Sequence, residues 1–311
     1  MGKVLISGAT GWLGRETIRK VVSGSFKEID SSNLILQSSK NRLVDFGNGY
    51  KFPVQEFNGR LEEQGIMGFV HLAFLTREKV AEYGFENYAI RNLQLISSAC
   101  QVIRRMKPKW IVLVSSGAIF DRESGNMEDD LVRNPYGYLK RNEELALTDA
   151  AKDANANIVI GRLWGAAGSE MPINRAYAVS DFIEQAFYDK KIHINSGGNV
   201  FRKYCDAGEF MEVLIKLALK GESTTLDSGG DVVELEEVAK VIASKLGDVS
   251  ISRSDKSSEV DDYYPRSMDF ETFSNSVGVS LSKVEDIVSK TIESHELARG
   301  YLKKDQGKDN E

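Results

Sequence analysis

Tyr136 and Lys140 stand four residues apart in the stretch PYGYLK, residues 135–140, a spacing that puts two side chains on one face of a helix. A free phenol has a pKa of about 10 and is a poor base at neutral pH. An ammonium beside it favours the phenolate and lowers that value, so the pair can carry a proton to or from a substrate oxygen. Spacing alone decides little: lysine is common enough that about one such pair arises by chance among 11 tyrosines. Tyr138 has Asn142 at the same offset and serves as a control with no role in the chemistry. Upstream, the apolar run WIVLVSS (110–116) ends in Ser115 and Ser116. Strand-end serines either cap the next turn or hold a substrate oxygen.

The stretch SGATGWLG, residues 7–14, carries a second chemistry. Gly8, Gly11 and Gly14 follow the apolar run KVLIS and open the helical pattern WLGRETIRKVVSG. Glycine permits positive φ and close backbone approach, and a helix N-terminus offers amides and a positive dipole end to a pyrophosphate. Gly14 allows close packing of helix on strand. In this strand–turn–helix context the loop predicts a dinucleotide cofactor contacted by Gly8, Thr10, Gly11, Trp12, Leu13 and Gly14. The second strand, in LILQSSKNR (34–42), does not end in the acid that usually binds an NAD ribose. Ser38, Lys40 and Arg42 suit a 2′-phosphate instead, so NADP(H) is favoured, with NAD(H) the alternative.

The elements that must position these residues alternate. Apolar runs at 3–7, 33–37, 68–73, 110–116 and 157–163 read as strands, and patterns at 12–24, 82–106 and 136–153 as helices. Strands apolar throughout, separated by helices, predict an α/β, doubly wound parallel sheet of Rossmann type over residues 1–164. Residues 165–311 read as a smaller, interleaved α+β C-terminal substrate lobe. Elements near 200–220 and 263–276 are expected to return to the sheet. Helices are predicted at 175–190, 206–220, 234–247 and 282–295, with short strands around a Gly-Gly turn in KIHINSGGNVFRKYCD and a polar, frayed tail over 299–311.

The chain has 311 residues, 41% hydrophobic and 28% charged, with a net charge of −6, which argues against a nucleic-acid binder. Cys100 and Cys205 form no CxxC pair, and His71, His193 and His295 lack ligand spacing, so no metal site is expected. His71 and His193 are read as non-catalytic. Apolar runs reach about seven residues, far short of the roughly 20 that span a bilayer. The N-terminus lacks a signal-peptide core, and a cytoplasmic setting is the expectation.

The order of motifs resembles the extended short-chain dehydrogenases/reductases, the NAD-dependent epimerase/dehydratase family. The loop is similar to that family's TGxxGxxG with Ser7 for Thr, and PYGYLKRNEE to its PYGxSKxxxE. VLVSSGAIF, GRLWGAAG and LDSGGDVVELEEVAKVIA resemble its later motifs. The resemblance implies Ser116, Tyr136 and Lys140 as the catalytic set, with Tyr136 and Lys140 also at the cofactor and Lys140 on the nicotinamide ribose. It implies cofactor contacts from Leu72 and Ala73 in FVHLA and from Asn87, and substrate contacts from Ser116, Gly165 and Arg202, the arginine on a phosphate. A homodimer through the helices near 86–106 and 136–153 would follow the family pattern.

Gly117 and Ala118 follow Ser116 where the family's sugar dehydratases carry Asp-Glu, which argues against dehydration. An oxidoreductase acting on a nucleotide-activated sugar is expected, a keto-sugar reductase being favoured. The alternatives are a nucleotide-sugar epimerase, a non-sugar carbonyl reductase and a cofactor-sensing binding protein without turnover.

Overall fold

The computed structural model describes residues 2–47, 49–60, 64–173, 176–256, 259–267 and 269–306, with side chains described through residue 297. The chain divides into two compact units: residues 1–164, 208–228 and 267–279, and residues 165–207, 229–266 and 280–311.

The first unit begins β1 (Lys3–Ser7), α1 (Trp12–Val22), β2 (Leu34–Ser38), β3 (Arg42–Asp45), β4 (Lys51–Glu56) and β5 (Ile66–His71). It continues α2 (Lys79–Tyr83), α3 (Phe85–Met106), β6 (Trp110–Ser116), α4 (Pro135–Ala154) and β7 (Asn157–Leu163). The chain then runs through β8 (Ala166–Ala167), α5 (Ala178–Asp189), β9 (Lys191–Ile194) and β10 (Val200–Asp206). Next come α6 (Ala207–Leu219), β11 (Thr224–Asp227), β12 (Asp231–Glu234) and α7 (Leu235–Leu246). Last are β13 (Ser250–Arg253), β14 (Asp261–Asp262), α8 (Asp269–Ser276) and α9 (Val284–Gln306).

Eight strands form the first unit's sheet in the order β11-β7-β6-β5-β1-β2-β4-β3. All neighbours run parallel except the β3–β4 edge pair. The order proceeds outward from β1 in both directions, so the loops after β1 and β5 leave a crevice at the carboxyl edge, where such sheets bind ligands. The apolar strands are buried on both faces: β6 is buried from Trp110 through Ser115. Leu5, Phe69, Ile111, Leu113 and Ile160 of the sheet pack with Ile103 of α3 and Leu147 and Ala150 of α4. On Gly161 of β7 a Cβ would fall 2.5 Å from Leu214 and 2.6 Å from Phe210 of α6, so glycine lets that helix close on the sheet.

Several boundaries differ from expectation. The predicted helix over 82–106 is two helices, because Gly84 (φ 76°) breaks it. Lys107 in the left-handed region ends α3 just before Pro108. The strands flanking the Gly-Gly turn do not pair with each other: β9 joins β13, while β10 joins β12, β14 and β8. The edge strands β3 and β4 carry mostly exposed residues, which leaves little apolar periodicity to read. α9 continues to Gln306 where a frayed tail is expected from 299; residues 307–311 of that tail lie outside the described residues.

Candidate active site

The glycine loop is built by close approach. Gly8 has φ +72°, and a Cβ there would lie 2.6 Å from the Leu72 carbonyl carbon. A Cβ on Gly14 would lie 2.5 Å from both the Gly8 and Ala9 carbonyl oxygens. Gly11, by contrast, meets only the Gly8 oxygen, at 3.3 Å, so its outer face is open. No side chain caps α1 at Gly11, and the first-turn amides of a helix have no intrahelical acceptor. Thr10, Trp12 and Leu13 lie on the same turn. This is a cradle of the right chemistry for a dinucleotide pyrophosphate. Leu72 and Ala73 follow β5, and the Leu72 amide donates to the Ser7 carbonyl at 3.1 Å, so the two loops face each other across the crevice. At the end of β2, Ser38 is buried and its hydroxyl lacks a hydrogen-bond partner. Lys40 and Arg42 are exposed, and the Arg42 guanidinium donates to the Thr10 hydroxyl at 3.0 Å.

The second cluster forms where β6 ends. Asn134 caps α4 by accepting from the Gly137 amide at 3.0 Å, and Pro135 occupies the first turn. The Asn134 amide also donates to the Ala118 carbonyl at 3.1 Å and to Glu128 at 3.0 Å. A Cβ on Gly137 would sit 2.0 Å from that same carbonyl oxygen. Asn134 and Gly137 thus clamp the start of α4 onto the turn after Ser116. This brings the Ser116 hydroxyl close enough to the Tyr136 phenol to act on its ionisation. Ser116 also accepts from the Ala118 amide at 3.1 Å, so its hydroxyl caps the turn that follows β6. Ser115 is buried and its hydroxyl has no partner.

The electrostatics differ from the sequence expectation. Burial pushes the Tyr136 phenol up to about 12, the Ser116 hydroxyl partly offsets this, and the Glu143 charge adds to the rise. The phenol is therefore raised rather than lowered. Lys140 is turned to other partners: its ammonium donates to the Val114 carbonyl at 2.9 Å and to Glu143 at 2.8 Å, and lies 4.0 Å from the centre of the Phe74 ring. Phe74 in turn meets Tyr136 edge-on, with ring centres 5.9 Å apart. Tyr138, the control, is half-buried in an apolar cluster with Tyr88 and Leu139.

Other predicted residues fall elsewhere. Asn87 is exposed, and its amide donates back to the Tyr83 carbonyl at 3.2 Å. The buried asparagine of α3 is Asn92, which accepts from the Leu75 amide at 2.8 Å and fixes the chain leaving β5. The sequence signal for it is a polar residue in phase with Tyr88 and Ile96 on the apolar stripe. In the second unit, a Cβ on Gly165 would meet the Lys203 carbonyl oxygen at 2.3 Å. Gly165 is therefore a position of close packing against β10. Arg202 forms a two-pronged pair with Asp261 at 2.6 and 3.1 Å, which matches its charge within that unit. Among the described residues no cluster of His, Cys, Asp and Glu could hold a metal, and Cys100 and Cys205 are not joined in a disulfide.

The family model described as the NAD dependent epimerase/dehydratase family matches residues 4–228. The chain belongs to that family. The motifs in the glycine loop and PYGYLK imply this membership, and with it an NAD-dependent enzyme. Within the epimerase/dehydratase family, the chain is similar to UDP-glucuronic acid decarboxylase 3 of Arabidopsis thaliana, 24% identical over 76% of this chain and 73% of that one. Its fold is similar to dTDP-glucose 4,6-dehydratase from Streptomyces venezuelae with NAD bound (TM-score 0.73, 15% identity, covering 96% of this chain and 98% of that one). It is equally similar to UDP-N-acetylglucosamine 4-epimerase from Methanobrevibacter ruminantium (TM-score 0.73, 15% identity, 96% and 99% covered). No helix of the described residues is long and apolar enough to cross a membrane.

Proposed function

We propose that the protein is an NADP(H)-dependent reductase of a carbonyl on a nucleotide-activated sugar. The observation that carries this is the state of Tyr136: a phenol held protonated by burial, beside Ser116 at the carboxyl edge of the sheet. That arrangement is a proton donor aimed at a substrate oxygen. Gly8, Gly11, Gly14, Thr10 and the first turn of α1 would hold the pyrophosphate, and Ser38, Lys40 and Arg42 the 2′-phosphate. The bound cofactor supplies the hydride that adds to the carbonyl carbon. Ser116 holds the carbonyl oxygen, Tyr136 gives it the phenolic proton as the C=O bond becomes C–OH, and Lys140 supports the phenolate left behind. The relatives and structural neighbours act on sugars linked to UDP or dTDP, which supports a nucleotide-sugar substrate. The second unit is the proposed substrate-binding part, with Arg202 exchanging Asp261 for a substrate phosphate.

Epimerisation is the second reading, favoured by the epimerase among the structural neighbours. It requires oxidation and re-reduction at one carbon with no net cofactor turnover. Ile90 and Leu93 on α3 and Leu145 on α4 are 53, 50 and 62% exposed, and a second copy of the chain is proposed to cover them; light scattering measures this. The deciding experiment offers NADPH or NADH with a panel of nucleotide keto sugars and simple ketones, following cofactor absorbance. Stoichiometric NADPH loss with a nucleotide keto sugar is expected. Sugar inversion without cofactor loss would establish the epimerase, turnover of simple ketones alone would establish a non-sugar reductase, and tight cofactor binding without turnover would indicate a sensor.

A further inference from the structure

Beneath Tyr136 and Lys140 lies a line of polar side chains that the proposed reaction does not itself use. The Ser7 hydroxyl is 2.7 Å from His71 Nδ1, and His71 Nε2 is 3.2 Å from one carboxylate oxygen of Glu143. The other oxygen of Glu143 accepts from Lys140 at 2.8 Å. All four are buried: Ser7, His71, Glu143 and Lys140 are 0, 1, 0 and 6% exposed. A buried carboxylate is costly unless paired; here one oxygen accepts from Lys140, and the other lies 3.2 Å from His71 Nε2 without a hydrogen bond. It sits on the same helix as Tyr136 and Lys140, so its charge is fixed in place relative to both.

We propose that Glu143 is a positioning residue for the Tyr136–Lys140 pair, with His71 as its second anchor: it holds the Lys140 ammonium beneath the Phe74 ring and balances its charge. This rests on the proposed roles of Tyr136 and Lys140. With Glu143 in place, Tyr136 stands near a neutral Lys140–Glu143 pair rather than a bare cation. The groups that face Glu143 are Lys140 and Tyr136 on α4, His71 on β5 and Cys100 on α3. Of these, Lys140 and His71 both act to keep the carboxylate ionised against its burial. The Glu143 charge adds to the burial that keeps this tyrosine protonated one helical turn from a lysine.

The consequence has a sign. Glu143→Gln removes the balancing charge and exposes Tyr136 to the bare ammonium, so its phenolate forms at lower pH, by on the order of one unit. NMR of isotope-labelled tyrosine in the full chain reads this directly, the Tyr136 signal being assigned by its loss in Tyr136→Phe. Glu143→Asp, which keeps the charge, should stay near the wild-type midpoint. If Glu143→Gln fails to fold, the comparison moves to Lys140→Met against Lys140→Met with Glu143→Gln, where the phenol again titrates lower without the carboxylate. In the reductase assay, the high-pH limb of kcat/KM should move down with the NMR midpoint in Glu143→Gln. An unchanged Tyr136 midpoint in both backgrounds would overturn the proposal whatever the rates do. If the midpoint moves but the wild type reduces no carbonyl, the reductase reading falls and the role of Glu143 stands.

Discussion

The Arg42 guanidinium donates to the Thr10 hydroxyl at 3.0 Å, which ties the first residue of the edge strand β3 to the glycine loop. Under the proposed NADP(H) reading, this cation would meet the 2′-phosphate. Arg42→Ala should therefore weaken NADPH binding about 10-fold to 100-fold, the range of one lost charge-assisted contact, and leave NADH binding nearly unchanged. Fluorescence titration with both cofactors measures it. Tighter binding of NADH than NADPH by the wild type would refute the cofactor assignment.

Gly137→Ala tests the clamp between α4 and the Ser116 turn. Its new methyl would fall 2.0 Å from the Ala118 carbonyl oxygen, so helix and turn must separate. The expected cost is roughly 1–3 kcal/mol of stability, with a larger loss of kcat because Ser116 and Tyr136 move apart. Asn134→Ala should cost about 1 kcal/mol as a lost N-cap, plus its two further hydrogen bonds. Urea unfolding paired with steady-state rates separates the two effects.

Tyr136→Phe should lower kcat by roughly 10²–10⁴-fold, the usual weight of general acid catalysis, while cofactor binding survives. Tyr138→Phe should leave kcat within about 2-fold, since that ring packs in an apolar cluster. An active Tyr136→Phe enzyme would remove the phenol from the mechanism.

Arg162 meets Glu144 through two parallel hydrogen bonds of 3.0 and 2.8 Å, and its guanidinium lies 5.2 Å from the Phe120 ring centre. Glu144→Ala leaves this largely buried cation unmatched and should destabilise the fold by about 3 kcal/mol. Replacing both members, Arg162→Met with Glu144→Leu, should recover most of that loss. Chemical denaturation of the single and double variants gives the coupling.

Stability should fall at alkaline pH in a defined window. Burial raises the phenols of Tyr136 and Tyr204 to about 12, from a starting value of 10.0, and burial raises Tyr88 as well. Each holds its proton longer folded than unfolded, so its contribution is complete below the unfolded pKa and is lost as pH rises toward 12. At the acid end the sign reverses for Glu143. Burial opposes its ionisation, yet Lys140 and His71 hold it below 4.5, so its contribution is lost as pH falls below that value. Thermal melts across pH should show both slopes, with Tyr204→Phe flattening the alkaline one. A melting temperature constant between pH 10 and 12 would contradict these assignments.

The local chain already determined a good part of this protein. WIVLVSS reads as a strand buried on both faces, because it is apolar from Trp110 through Val114. SGATGWLG reads as a tight strand-to-helix turn, because its glycines stand between an apolar run and a helical pattern. PYGYLK carries its own helix start. These are short-range properties of residue type and period. What only the tertiary structure decided is who meets whom. Lys140 has Tyr136 one turn away in sequence, yet its ammonium goes to Glu143 and the Val114 carbonyl, a choice set by burial under β6 and by His71 arriving on β5. Arg202, expected on a substrate phosphate, pairs in the folded chain with Asp261, 59 residues on. The close packing at Gly165 exists only once β10 lies beside it. A charge chooses its partner by distance and desolvation, and neither is set until the elements pack.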